Sequence, residues 1–169
     1  MVDKGMIEAA KALLDLCIKK KLTLAAAESC TGGLLTAALT EIAGSSQVVN
    51  RGYITYSNEA KQQIGVAVAT LERFGAVSRE TAEAMAKGVL ANVPVNLAAA
   101  ITSIAGPGGG TQDKPVGLVH FAVAASRSGK LVHHEHRFGD IGRAEVRRRS
   151  VLQAIAMLHE LADTEDWPH

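Results

Sequence analysis

A chain of 169 residues with 47% hydrophobic and 21% charged side chains has enough apolar material for one domain with its own core, which excludes disorder for most of its length. Its 18 basic and 17 acidic residues leave a formal charge of +1, so no bulk field draws it to nucleic acid or to a membrane surface, and any anion site must be local. Three Phe, two Tyr and one Trp are too few for the stacking platforms that hold single-stranded nucleic acid.

From Asp3 to about Lys20 the apolar positions Met6, Ala10, Leu13, Leu14, Cys17 and Ile18 recur at helical spacing, predicting an amphipathic helix. Leu22 to Ala27 predicts a strand, Glu28 to Gly33 a polar turn, and Leu34 to Ala43 a second helix. Val48 to Tyr56 is β-rich and runs into Ser57-Asn58, an N-cap signal for a short helix from about Glu59. Ser78, with Glu80 in the first turn, caps a helix whose inner stripe is Ala82, Met85, Ala86, Val89 and Val93. Asn96 to Ala105 predicts a central strand, and the glycine-rich segment from Gly106 to Pro115 a loop. Val116 to Ala125 and Leu131 to Phe138 predict a hairpin turning at Ser128-Gly129. A last helix is predicted from about Arg143 to Leu161, with Ala144, Val151, Ile155, Leu158 and Ala162 inward, Arg147 and Arg148 at the stripe's edges and Arg149 outside.

Helices alternating with strands, plus a hairpin, predict a three-layer α/β/α sandwich on a mixed β-sheet. The 28 alanines suit helices packed closely on that sheet. A single domain is expected over 1–162, with a frayed tail over 163–169. Cys17 and Cys30 are too few for a metal-ligand array, and a core of this size needs no disulfide. With no signal-peptide pattern before Lys11 and no apolar run near the ~18 residues a membrane span needs, the expectation is a cytoplasmic protein.

Chemistry is expected first at Ser29, at the exit of a strand and the entry of a helix. First-turn amides of Thr31, Gly32, Gly33 and Leu34 can hold an oxyanion if Ser29 attacks a carbonyl; equally, Ser29 or Thr31 can merely cap the helix. Cys30 is a rival nucleophile at a helix start, or a small buried hydrophobe. A base is required. Strand alternation scatters His133, His134 and His136 over both faces, whereas Lys61 lies early in the short helix capped by Ser57 or Asn58. There the helix dipole and any burial lower an amine pKa; a solvated lysine is the plain alternative. Tyr56 can orient either partner or pack on a rim. The Gly106 to Gly110 loop fits neither dinucleotide nor P-loop spacing, but offers backbone amides and Lys114 to a substrate, or is a simple connection. Arg147 and Arg148 lean inward near a helix start, to pair with an acid such as Glu145 or Asp140 or to grip a phosphate.

The segments Ala27-Glu28-Ser29-Cys30-Thr31-Gly32-Gly33, Gly52 through Lys61, Ile104 through Gly109, and Lys114-Pro115-Val116-Gly117 together closely resemble the CinA C-terminal domain family, known as nicotinamide-nucleotide amidases, over roughly residues 6 to 160. The resemblance implies hydrolysis of the carboxamide of nicotinamide mononucleotide to nicotinate mononucleotide and ammonia. It implies Ser29 as nucleophile, Lys61 as its base, and roles for Tyr56, as a further catalytic residue, and Arg147; a phosphate grip by Arg147, with Arg148, is the expectation added to it. Substrate contacts are also expected at Thr31, Gly32, Gly33, Asn58, Gly106, Gly108 and Gly109. No metal or cofactor, no direct nucleic-acid or membrane partner, and a homo-oligomer are expected. Larger CinA proteins add a pyrophosphatase-like domain, whose activity is not expected of this chain. Two other readings remain: a competence- or damage-associated partner protein without catalysis, and an amidase for another small amide.

Overall fold

Asp3 begins the first helix by accepting the Met6 N–H at 2.9 Å, and Lys21 ends it in the left-handed conformation, leaving α1 over Lys4–Lys20. Residues 1–167 are described by the structure, a computed structural model. The elements that follow are β1 (Leu24–Glu28), α2 (Leu34–Thr40), a 3₁₀ turn (Ser45–Gln47), β2 (Val49–Ile54), α3 (Asn58–Gln63), α4 (Val68–Phe74), α5 (Arg79–Asn92), β3 (Leu97–Ser103), β4 (Leu118–Ala125), β5 (Leu131–Arg137) and α6 (Arg143–Thr164). Two of these, the 3₁₀ turn and α4, lack the capping and stripe signals that announce the others.

One mixed sheet has strand order β2-β1-β3-β4-β5. The first three strands run parallel, and β4 and β5 add antiparallel at one side. Helices cover both faces, so the expected three-layer α/β/α architecture is found. Central strands β1 and β3 set Ala25, Ala26 and Ala27 beside Ala98, Ala99 and Ala100, all buried. Such continuous small apolar runs belong to strands covered on both faces, and methyl-sized side chains let the helices approach. Leu24, Ala26, Ile101, Phe121 and Val123 pack with α1, α2 and α6. Ala25, Ala27, Ala98 and Ala122 pack with α5, whose predicted stripe is buried.

Three differences from the sequence reading concern α2 and α6. The second helix stops at Thr40, short of Ala43. Ala144 is exposed rather than inward, because the buried stripe of α6 passes through Val146, Ser150, Val151 and Ala154. The tail is not frayed where it is described: α6 continues to Thr164, and the Trp167 ring is buried in the α1/α6 core, with its N–H donated to the Ala162 carbonyl at 3.1 Å. Residues 168–169 of that expected tail, His169 among them, lie outside the described residues.

Parallel strands concentrate chemistry at their C-terminal ends, where the connections leave the sheet on opposite faces. Here β1 exits into α2 on one face and β2 exits into α3, α4 and α5 on the other. Ser29, Thr55 and Ser103 therefore meet at one end of three adjacent strands.

Candidate active site

Alternation along β1 sends Glu28 to the α2 side and Ser29 to the α5 side. On that second side, Ser57 caps α3 by accepting the Ala60 N–H at 3.1 Å, and Lys61 follows one residue later, only 1% exposed. Its Nζ lies 3.1 Å from Ser29 Oγ and donates to the Thr55 carbonyl at 2.7 Å. Thr55 N–H in turn donates to the Glu28 carbonyl at 2.8 Å, so backbone from β1 and the end of β2 closes a ring of hydrogen bonds around the pair. Burial lowers the Lys61 pKa below the ordinary lysine value, favouring the neutral amine. The helix dipole contributes no such effect, contrary to the sequence argument: α3 has six residues, and Lys61 falls in its last turn.

This pair lines an open cleft of about 220 Å³ with Cys30, Tyr56, Thr102, Ser103 and Arg143. Burial raises the Cys30 thiol pKa, which opposes thiolate chemistry and fits the reading of Cys30 as a small buried group. None of the described histidines lines this cleft. His120 Nδ1 meets His133 Nε2 at 2.9 Å on the α5 face, while His134 and His136 stack on the opposite face, the scatter that alternation requires.

Most of the amides the sequence reading offered are already engaged. Gly32 N–H donates to the Ser29 carbonyl and Leu34 N–H to Thr31, both within the turn. Gly33, Leu35 and Thr36 donate their N–H groups to the Glu28 carboxylate at 3.1, 3.0 and 2.8 Å. Those donors are spent. The amides of Cys30 and Thr31 have no backbone acceptor among the described residues, but Thr31 is fully buried, so of the two only Cys30 belongs to a residue lining the cleft. Positive φ angles of 57° at Gly32 and 96° at Gly33 let the chain turn this tightly between strand and helix.

Tyr56 is 61% exposed at the cleft mouth, and its hydroxyl accepts from the Arg143 guanidinium at 2.8 Å. Arg143 also donates to the Gly106 carbonyl at 3.0 Å, bridging the β2–α3 connection to the glycine-rich loop. Sequence reasoning missed this arginine, which sits at the helix start with no pattern to single it out. It missed the buried role of Glu28 as well, although an acid between an alanine run and a serine is a visible anomaly. Asn58 is exposed on α3 and does not line the cleft; Gly108 and Gly109 lie exposed on the loop.

Arg147 and Arg148 divide. Arg147 donates to the Thr31 carbonyl at 2.9 Å, and its buried Nε has no partner among the described residues. Arg148 is paired with Asp3 and lies 3.7 Å from Glu145, so its guanidinium is engaged in a structural ion pair. Thr31 is fully buried, with its hydroxyl unpartnered among the described residues. Beside Arg143 a second groove of about 450 Å³ opens between Arg147, Arg148, Leu34 and Ile141 at the start of α6. Gly142 provides no side-chain cap for that 22-residue helix.

A family model described as the CinA C-terminal domain matches residues 6–162. A CinA-like protein of Syntrophus aciditrophicus is 48% identical over 148 residues, 87% of this chain and 34% of that protein. The chain spans about a third of the length of the curated relatives it matches. The crystal structure of the competence/damage inducible protein CihA from Agrobacterium tumefaciens superposes with a TM-score of 0.93 at 51% identity, covering 95% of this chain and 98% of that one. A CinA superfamily protein from Klebsiella pneumoniae gives 0.89 at 32% identity, covering 95% and 99%.

Proposed function

The chain belongs to the CinA C-terminal domain family, and from that premise we propose that it is a serine–lysine amidohydrolase acting on the carboxamide of nicotinamide mononucleotide. One observation carries the reading: a buried lysine amine, held by a carbonyl and shifted toward neutrality, lies 3.1 Å from a serine hydroxyl at a strand end. Nucleophile and base within hydrogen-bond reach form the arrangement by which an unreactive hydroxyl becomes an attacking group.

The neutral Lys61 amine takes the Ser29 proton as the Oγ–C bond forms, and the carboxamide oxygen becomes an oxyanion facing the Cys30 amide. Collapse breaks the C–N bond, and the Lys61 ammonium gives its proton to the departing ammonia. Water then attacks the acyl ester, losing a proton to Lys61. Ser29 leaves and takes that proton back, freeing the carboxylate. Tyr56 and Arg143 stand at the mouth to orient the ring and ribose. The 5′-phosphate falls to Arg143, Arg147 and the uncapped start of α6, since guanidinium forks and helix N-termini both suit phosphate oxygens.

Ammonia release from nicotinamide mononucleotide by purified protein tests this. Activity is expected in the presence of a chelator, with losses of roughly 10⁴-fold in Ser29→Ala and Lys61→Ala. Undiminished activity in either variant overturns the dyad. Equal turnover of free nicotinamide overturns the phosphate role.

A further inference from the structure

Glu28 is fully buried, and four donors satisfy its carboxylate. Oε2 accepts from the Gly33 and Leu35 amides, and Oε1 from the Thr36 amide and, at 2.8 Å, the Thr36 hydroxyl. An ordinary helix carries its own cap, yet Gly33 at the N-cap of α2 has no side chain to offer. The cap comes instead from the strand residue that immediately precedes the nucleophile. Backbone atoms of the same residue hold the other half of the site: the Glu28 carbonyl accepts from Thr55 N–H, and the Thr55 carbonyl accepts from Lys61 Nζ. There is no slack behind this network, because a Cβ on Gly52 of β2 would lie 2.3 Å from the Thr36 hydroxyl oxygen.

We propose that Glu28 is a positioning residue for reaction at Ser29: its carboxylate ties the start of α2 to the end of β1 and so aims the Cys30 amide, beside the nucleophile in the cleft, at the oxyanion. The proposal rests on the serine–lysine reading. Only a carboxylate answers all four donors; a glutamine turns an NH₂ group against one pair of them. The same carboxylate closes the α2 N-terminus to substrate anions, leaving a phosphate to the α6 side.

Labelling by an alkyl fluorophosphonate tests this without reference to the natural substrate. Ser29 Oγ bonds to phosphorus, fluoride leaves, the proton passes to Lys61, and the phosphoryl oxygen occupies the oxyanion position. Intact mass is expected to show one label on the wild type and none on Ser29→Ala. Glu28→Gln is expected to label about tenfold more slowly or worse, the scale of one misaimed oxyanion donor. Thr36→Val, which removes one of the four bonds, is expected to slow labelling less. Both should keep a native circular dichroism spectrum and the wild-type pH midpoint for labelling, since Lys61 is untouched. A wild-type rate in folded Glu28→Gln, or in Thr36→Val should Glu28→Gln not fold, overturns the proposal. So does a shifted midpoint, which would route the effect through the amine. No label on the wild type overturns the serine–lysine reading itself, and the proposal with it.

Discussion

Lys61 is a buried amine with no carboxylate among the described residues to neutralise it, and its behaviour with pH follows from that. Burial holds its pKa below 10.5, the ordinary value. kcat/KM is therefore expected to rise with pH through the lowered pKa and then level, as a pH–rate profile on the substrate would show. Stability carries the same signature. Below the folded pKa the amine is charged both folded and unfolded, and folding bears the whole desolvation cost; between that pKa and 10.5 the cost fades. Thermal melts should show wild type gaining on Lys61→Met as pH climbs toward 10.5, and a constant gap would contradict the burial argument. The arginines separate by the same physics. Arg143→Ala should raise KM for the nucleotide roughly tenfold, the worth of a charge-assisted hydrogen bond. Arg148→Ala should leave KM alone and remove at most about 1 kcal/mol of stability, because its pair with Asp3 is more than a third exposed. A KM effect from Arg148 alone would reverse that assignment.

At the scale of elements, the site depends on how α5 grips α3. Gly88, in the middle of α5, has the Ile64 carbonyl oxygen 2.0 Å from where a Cβ would stand. Asn92, one turn on, donates its side-chain N–H to that carbonyl at 3.2 Å and to the Gly88 carbonyl at 2.8 Å. Ile64 is the C-cap of the helix bearing Lys61, so α5 meets the chain directly at the end of α3. Gly88→Ala is expected to destabilise by about 1–3 kcal/mol through overpacking, and to lower kcat by displacing the amine. Chemical denaturation and steady-state kinetics together would check this; a stable variant with full kcat would show that α3 is placed by other contacts. Much of this level was legible. Ser57 and Ser78 announce their helices by residue type, and the α5 stripe reads directly as core. The short α4 was not legible, because seven residues without a side-chain cap carry too little periodicity.

For the whole molecule, one core is built on each face of the sheet, and Trp167 belongs to one of them. Trp167 is 7% exposed among α1 and α6 residues, three positions beyond the helix end. Trp167→Ala should cost on the order of 3 kcal/mol, visible as a lowered midpoint in urea, whereas a frayed tail would predict no change. No helix among the described residues is long and apolar enough to cross a membrane. Local chemistry was within reach of the sequence: period-2 and period-3.6 patterns, caps and glycine-rich turns depend on neighbours a few residues apart, so they revealed the α/β layers and made Ser29 and Lys61 candidates, while the choice of them over their plain alternatives came from the family resemblance. Distances across the fold were not. The 3.1 Å between Ser29 and Lys61 spans 32 residues, the loss of the α2 amides to Glu28 depends on where a carboxylate reaches, and the choice of Arg143 over Arg148 turns on Asp3, 145 positions from Arg148. Only the folded chain brings such groups together, because burial and hydrogen-bond geometry are properties of the packed whole and leave no periodic trace along the sequence.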